Sequence, residues 1–144
     1  MKKNSRRKSV LVSMSADVIH HGHTNIINEA RKYGDVTIAL VADEIVAKHK
    51  RLPYLNWEQR KKIIENIKGV VKVFKQNEWD YGPLIMSHKP DYLVHGTDWK
   101  KGSLKRLRDS AIKALKSYGG KLIEVSYTKG ISAMNLSLNQ KIIG

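Results

Sequence analysis

The group of residues in this chain best suited to chemistry is His20-His21-Gly22-His23. It follows a hydrophobic run over residues 10–14, which predicts a buried strand, and precedes a helical pattern over residues 24–33. The group therefore lies where a strand passes into a helix. Backbone N–H groups and the helix dipole favour anions at such a place, and glycine allows a ligand to approach closely. Two imidazoles added to that setting indicate a site that handles phosphate.

Two simpler interpretations of these histidines are a helix cap and a zinc site. Zinc is poorly supported, because the chain has no cysteine and shows no third ligand at a recognisable spacing. His20 and His23 are three residues apart, so one helical turn brings both rings to one side. That arrangement is compatible with a cap as well as with a catalytic pair.

Hydrophobic runs alternate with helical patterns along the rest of the chain. Further strands are predicted at residues 35–41, 70–74, 91–95 and 122–125. Helices are predicted after the Asn56–Gln59 capping pair, at residues 82–88 and 103–118, and from Ser132. The inner face of the helix after Asn56 is expected to hold Ile63, Ile64 and Ile67. This alternation predicts an α/β, Rossmann-like three-layer sandwich with a five-stranded parallel sheet.

Ligands of such sheets bind beyond the carboxyl ends of the strands, near the point where the winding order reverses. Residues 13–23, 96–99 and 128–132 all follow predicted strands. We therefore expect these three segments, rich in Gly, Ser, Thr, Asp and His, to meet at one site.

The formal net charge of +14 admits nucleic acid, an anionic surface or a small anionic substrate as partner. Part of it belongs to a basic N-terminal tail, residues 1–8, ahead of a single domain over residues 9–144. A second cluster, Lys100 to Arg108, begins the helix at 103–118, and its cations are expected to lie mostly on the water side. The basic segments lack interleaved aromatic residues, which argues against a nucleic-acid stacking platform. With no apolar run of membrane-spanning length and no visible secretion signal, we expect a cytoplasmic protein with no membrane partner.

Three motifs together resemble those of the cytidylyltransferase branch of nucleotidyltransferases. Residues 15–23 resemble the first motif, whose core is His-any-Gly-His. His95-Gly96-Thr97-Asp98-Trp99 resembles the second, Gly-Asp-Asp-Trp, with threonine in the first Asp place. Residues 127–132 resemble the third. The motifs stand in the family's order and spacing.

Two subfamilies compete for the best match. Glycerol-3-phosphate cytidylyltransferases have the same compact length. Residues 13–17, 50–54 and 65–70 look more like the phosphonate cytidylyltransferase domains often fused behind a phosphoenolpyruvate mutase, and so does Tyr127, which stands where the glycerol-phosphate enzymes have arginine. The resemblance implies transfer of CMP from CTP, handled with Mg²⁺, to a small phosphonate such as 2-hydroxyethyl- or 2-aminoethylphosphonate. It also implies a homodimer.

The resemblance also assigns roles to individual residues. The catalytic residues are expected to be His20, His23, Lys50 and Arg51, the last two on a mobile lid. Nucleotide-binding residues are expected to be Ser15, Ala16, Asp17, Gly22, Arg60, Gly96, Asp98, Thr128, Gly130, Ile131 and Ser132. Asp17 is expected to orient a histidine or help position Mg²⁺, and Trp99 to pack beneath the site.

The third motif departs from the family pattern, because Ala133 and Met134 follow Ser132 where hydroxyl residues are usual. Loss of one hydrogen bond to a charged group costs on the order of 1.5–3 kcal/mol. A nucleotide-binding relative without turnover is therefore one alternative function. A basic nucleic-acid-binding module is another.

Overall fold

The computed structural model describes residues 7–126, which form five strands and five α-helices. The strands are β1 (Ser9–Met14), β2 (Asp35–Val41), β3 (Val70–Gln76), β4 (Tyr92–Gly96) and β5 (Lys121–Val125). The helices are α1 (His21–Ala30), α2 (Asp43–His49), α3 (Trp57–Glu65), α4 (Tyr81–His88) and α5 (Lys105–Lys116). Two short 3₁₀ turns, Thr97–Trp99 and Gly102–Leu104, link β4 to α5.

The strands form one parallel sheet in the order β3-β2-β1-β4-β5. This confirms the predicted Rossmann-like α/β architecture. The chain first winds outward from β1 through β2 to β3 and then returns to the other side of β1 at β4. The winding therefore reverses between β1 and β4, where the carboxyl ends of neighbouring strands diverge and leave a crevice.

Each face of the sheet is covered by its own apolar layer, because successive side chains of a strand point to opposite faces. Val10 and Val12 of β1 pack with Ile27 of α1 on one face. Leu11 packs on the other face with Ile85 of α4. Three consecutive strand residues are thus almost fully buried, as expected for a central parallel strand with helices on both sides.

Three local predictions from the sequence were wrong. Helix α1 begins three residues before the predicted start and ends at Ala30, leaving Tyr33 at the surface. The polar segment before Lys50 contains α2, which the sequence reading missed. Ile63 is exposed rather than inward, while Ile64 is buried.

The basic cluster from Lys100 to Arg108 is mostly exposed, as predicted. Arg108 and Lys100 turn toward Glu124 of β5 and form ion pairs with it. Of these two cations, Arg108 is partly buried against the carboxylate, whereas Lys100 stays exposed. The predicted helix at Ser132 lies outside the described residues.

Candidate active site

A cavity of about 340 Å³ opens at the carboxyl ends of β1 and β4, at the reversal of the winding order. Residues 12–26 form one wall, residues 94–98 form the other, and Lys50 and Ser126 complete it. Two of the three segments expected to converge do so here. The third, residues 128–132, lies outside the described residues. The volume is within the range of small-molecule sites.

The two histidines of the first motif cap helix α1 and also line this cavity. The Nδ1 atom of His20 accepts a hydrogen bond from the backbone N–H of Gly22 at 3.1 Å. The Nδ1 atom of His23 accepts one from the backbone N–H of His20, also at 3.1 Å. Because both Nδ1 atoms are acceptors, the proton of each neutral ring lies on Nε2. The cap therefore selects the tautomer and leaves two Nε2–H groups as donors.

Both imidazoles are held in the neutral form. Burial lowers the pKa of His23 to about 4, and the nearby His20 and Lys50 add to this effect. Burial, followed by the charge of His21, also lowers the pKa of His20. The rings of His20 and His23 lie 4.1 Å apart between centroids, so a second charge beside the first is unfavourable. Capping and ligand binding are thus compatible roles here, since each ring uses one nitrogen for each.

Lys50 follows α2 and lines the same cavity as the histidines, near enough for its charge to act on His23. Desolvation, followed by the charge of Arg51, lowers the pKa of Lys50. Arg51 itself is directed at Asp17: its guanidinium donates to the Asp17 carboxylate and to the Asp17 backbone carbonyl. The same guanidinium lies 4.1 Å from the ring centre of Tyr54. Of the two predicted cations, Lys50 lines the cavity, whereas Arg51 does not line it and bonds Asp17 at its edge.

Asp17 orients the segment after α2. Its side chain is fully buried, and its carboxylate accepts hydrogen bonds from the backbone N–H groups of Tyr54 and Leu55 as well as from Arg51. The prediction that Asp17 orients a histidine is therefore wrong, because its acceptor capacity is directed to this segment. It ties the end of β1 to the chain that carries Lys50.

Arg60 has a structural position rather than the predicted contact with nucleotide. Its guanidinium is fully buried and donates to the backbone carbonyls of Leu55, Ser15 and Val41, and it also pairs with Asp43. Every nitrogen of the guanidinium is engaged in this way. The prediction for Arg60 is corrected accordingly: it bonds the chain segments at Ser15, Val41 and Leu55 to one another and does not line the cavity.

The remaining predicted residues either line the cavity or lie outside the described residues. Those that line the cavity are Ser15, Ala16, Gly22, Gly96 and Asp98. At Gly96 an added Cβ atom would lie 3.2 Å from the Asp98 carboxylate, so a side chain there would crowd this wall. Trp99 is buried beneath the site, as predicted. Thr128, Gly130, Ile131 and Ser132, with Ala133 and Met134, lie outside the described residues.

Ser13 belongs to a segment expected at the site and His95 to the second motif, but the sequence assigned neither residue a role of its own; both line the cavity. Both stand near the ends of strands, two residues after the apolar Leu11 and Leu93 on the same face. A polar residue that breaks the apolar alternation at a carboxyl end was the available signal. The Ser13 hydroxyl donates to the buried side chain of Gln76 at 2.6 Å, so this polar layer extends across the sheet.

Comparison with known proteins identifies the family. The model of the cytidylyltransferase-like family matches residues 15–134, which include most of the cavity lining and the motifs described above. The chain belongs to this family. It is a cytidylyltransferase-like nucleotidyltransferase whose cavity contains the family's histidine motif.

Individual relatives differ in what they make. An FAD synthase of Archaeoglobus fulgidus is 40% identical over 96 residues, covering 62% of this chain and 70% of that protein. The glycerol-3-phosphate cytidylyltransferase of Bacillus subtilis is 28% identical over 131 residues, covering 90% of this chain and 94% of the relative. Among solved structures, a lipopolysaccharide core biosynthesis protein of Thermoplasma volcanium has a similar fold, with a TM-score of 0.67 at 21% identity over 86% of this chain and 98% of that chain.

The described part of the chain offers no resident metal centre, because it contains no cluster of three His, Cys, Asp or Glu side chains able to hold an ion. The Asp17 carboxylate is already occupied by the donors named above. Within residues 7–126 no helix is both long enough and apolar enough to cross a membrane.

Proposed function

We propose that the protein is an enzyme that transfers CMP from CTP to a small phosphonate, such as 2-hydroxyethyl- or 2-aminoethylphosphonate, and releases pyrophosphate. The observation that carries this proposal is the pair of imidazoles that cap helix α1. His20 and His23 keep Nε2–H donors in a cavity shared with Lys50, at the N-terminus of α1. All of these groups favour phosphoryl oxygens.

The chemistry needs alignment and charge stabilisation more than a base. An oxygen of the phosphonate, already anionic at neutral pH, attacks the α-phosphorus of CTP. The bond from that phosphorus to the oxygen bridging to the β-phosphate breaks, and pyrophosphate carries away the electron pair. Charge increases on the α-phosphate and on the leaving oxygen, where the Nε2–H groups and the Lys50 ammonium stabilise it. Neutral rings suit this role, because the step requires hydrogen-bond donation and no net proton transfer.

The phosphonate assignment is supported by two of the stretches that resemble that subfamily. Residues 13–17 and residues 50–54 are bonded to each other through Asp17, at the edge of the cavity. They therefore form one structural unit beside the proposed reaction site. A small acceptor entering here would meet Lys50 directly, with Arg51 close behind it.

Two other acceptors have specific observations in their favour. Similarity over 90% of the chain favours glycerol 3-phosphate, the substrate named for the Bacillus subtilis relative. The 40% identity to an FAD synthase favours nucleotidyl transfer to FMN. All three acceptors present a terminal anionic phosphorus group, so they require the same imidazole and ammonium donors.

Mg²⁺ enters this proposal as part of the substrate. The residues in hand provide no cluster of ligands for a resident ion, so the ion is expected to arrive on the triphosphate of CTP. Its charge would assist departure of pyrophosphate when it is bound there. We expect Asp98, whose carboxylate is exposed at the cavity wall, to face the nucleoside or the ion.

The test is a matrix of pyrophosphate-release assays with Mg²⁺. CTP, UTP, ATP and GTP are each combined with the two phosphonates, glycerol 3-phosphate and FMN, and products are identified by ³¹P NMR. We expect the highest kcat/KM with CTP and a phosphonate, and a loss of about 10²- to 10³-fold in His20→Ala. His88→Ala is the matched control, because His88 is an exposed histidine on α4 that does not line the cavity.

Each outcome bears on the proposal. Turnover that is highest with glycerol 3-phosphate or FMN would replace the phosphonate assignment. CTP binding without pyrophosphate from any pair would identify a non-catalytic relative. Salt-sensitive oligonucleotide binding that survives His20→Ala, with no nucleotide turnover, would favour the nucleic-acid module instead.

A further inference from the structure

His95 lies in the cavity wall formed by the end of β4, and nothing in the mechanism above uses it. Its ring stacks flat on Trp99, with 3.6 Å between centroids and 7° between planes. Tyr81 lies against it at a tilt, 5.8 Å away. The His95 side chain is 18% exposed, so one part of the ring remains accessible.

The hydrogen bonding of His95 is the reverse of that of the capping histidines. Its Nδ1 atom lies 2.8 Å from the backbone oxygen of Gly96. A carbonyl oxygen can only accept, so Nδ1 carries the proton. Burial lowers the pKa of His95 despite the nearby Asp98 and Glu124, which favours the neutral ring. In that ring Nε2 has a lone pair and is an acceptor.

The ring is also fixed in place. The indole N–H of Trp99 donates to the Glu124 carboxylate at 2.7 Å. The Arg108 guanidinium donates two hydrogen bonds to the same carboxylate, at 2.8 and 3.1 Å. Because Trp99 is anchored in this way and His95 is stacked on it, the direction of the His95 acceptor is set before any ligand binds.

The position of His95 in the cavity limits which part of a bound nucleotide its Nε2 atom can contact. The donors suited to phosphate, His20, His23 and Lys50, belong to the α1 and α2 side. His95 belongs to the β4 side, with Gly96 and Asp98. A nucleotide anchored by its phosphates at α1 therefore extends its nucleoside toward β4. An acceptor lone pair there repels phosphate and carbonyl oxygens and matches an N–H group.

We propose that His95 determines base specificity by accepting a hydrogen bond from the exocyclic amino group of a cytosine or adenine base. Uracil and guanine present a carbonyl oxygen at the corresponding position, so their lone pairs would oppose that of Nε2. This inference rests on the proposed nucleotide-binding function of the same cavity. One hydrogen bond in a partly buried site corresponds to roughly 10- to 100-fold discrimination.

The experiment measures CTP and UTP side by side, both as kcat/KM for pyrophosphate release and as Kd by calorimetry without acceptor. The variant is His95→Phe, which keeps a flat ring against Trp99 and removes the acceptor. The matched control is His88→Phe. His88 also stacks on an aromatic ring, Phe74 at 3.9 Å, with Nδ1 near a backbone carbonyl, but it lies away from the cavity.

We expect the wild type and His88→Phe to prefer CTP by at least about tenfold, and His95→Phe to bring the ratio within about threefold. A preference for CTP that persists in His95→Phe would overturn the inference and leave the proposed function intact. Absence of binding and turnover with every nucleotide would instead defeat the proposed function itself.

A second measurement does not depend on the variant folding. In wild-type protein with ¹⁵N-labelled histidine, the resonance of the unprotonated Nε2 of His95 should move toward the hydrogen-bonded range when CTP binds and stay in place when UTP binds. An Nε2 atom found protonated in the free protein, or a resonance that does not respond to CTP, would contradict the proposal.

Discussion

Replacing His23 by glutamine should remove a pH-dependent loss of stability that the wild type carries. In the native protein His23 is held neutral, with a pKa of about 4 against 6.5 for an ordinary histidine. Between these two values the unfolded chain binds a proton at this position and the folded chain does not. Lowering the pH through this interval therefore favours unfolding. Above about pH 6.5 the ring is neutral in both states, so His23 contributes no pH dependence to the free energy of unfolding.

The magnitude follows from the separation of the two pKa values. At about 1.4 kcal/mol for each pH unit, the full interval corresponds to about 3 kcal/mol of lost stability. A domain of this size has a free energy of unfolding of about 5–15 kcal/mol, so the effect is large enough to measure. Glutamine is the appropriate replacement because this chain already uses it: Gln59 accepts from the N–H of Asn56 in the cap of α3, as His23 does from His20 in α1.

The assay is urea unfolding of wild type and His23→Gln at several pH values from 7.5 to 4.5. Because every other titrating group is shared, the difference between the two curves isolates His23. We expect the wild type to lose up to about 3 kcal/mol more than the variant as the pH falls. Parallel curves that differ by less than about 1 kcal/mol would refute the assignment of His23 as a neutral, buried cap.

Three further predictions concern the residues that hold the site together. Arg60→Met leaves three backbone carbonyls without their donor and should lower the free energy of unfolding by about 3–5 kcal/mol in urea titrations; a loss below about 1 kcal/mol would contradict its structural role. Asp17→Asn releases Arg51 and should speed tryptic cleavage after Arg51 by about tenfold, read by mass spectrometry, whereas unchanged protection would show that another contact holds the segment. Trp99→Phe removes the indole donor to Glu124 and should lower stability by about 1–2 kcal/mol in thermal unfolding; an unchanged Tm would show that this hydrogen bond contributes nothing.

The order of the strands, and of the described helices other than α2, was predicted from the sequence because hydrophobic periodicity reports burial directly. Fully apolar runs such as residues 10–12 require cover on both faces, and that requirement selects a parallel sheet with helices on each side. The histidine motif was equally visible, because its residue types and its place between strand and helix restrict its chemistry. The family resemblance predicted the remaining roles, of which those for Asp17 and Arg60 are corrected by the structure.

The tertiary structure decided which polar groups are free to meet a ligand. A sequence does not show that the Arg60 guanidinium bonds the backbone carbonyl of Ser15, 45 residues away along the chain. Nor does it show that the Asp17 carboxylate accepts from the backbone N–H of Tyr54, 37 residues away. It also does not show which nitrogen of a histidine is already bonded. His20, His23 and His95 have the same side chain, yet backbone partners make two of them donors and one an acceptor at the cavity. Those partners are positions in space, and only the folded chain defines them.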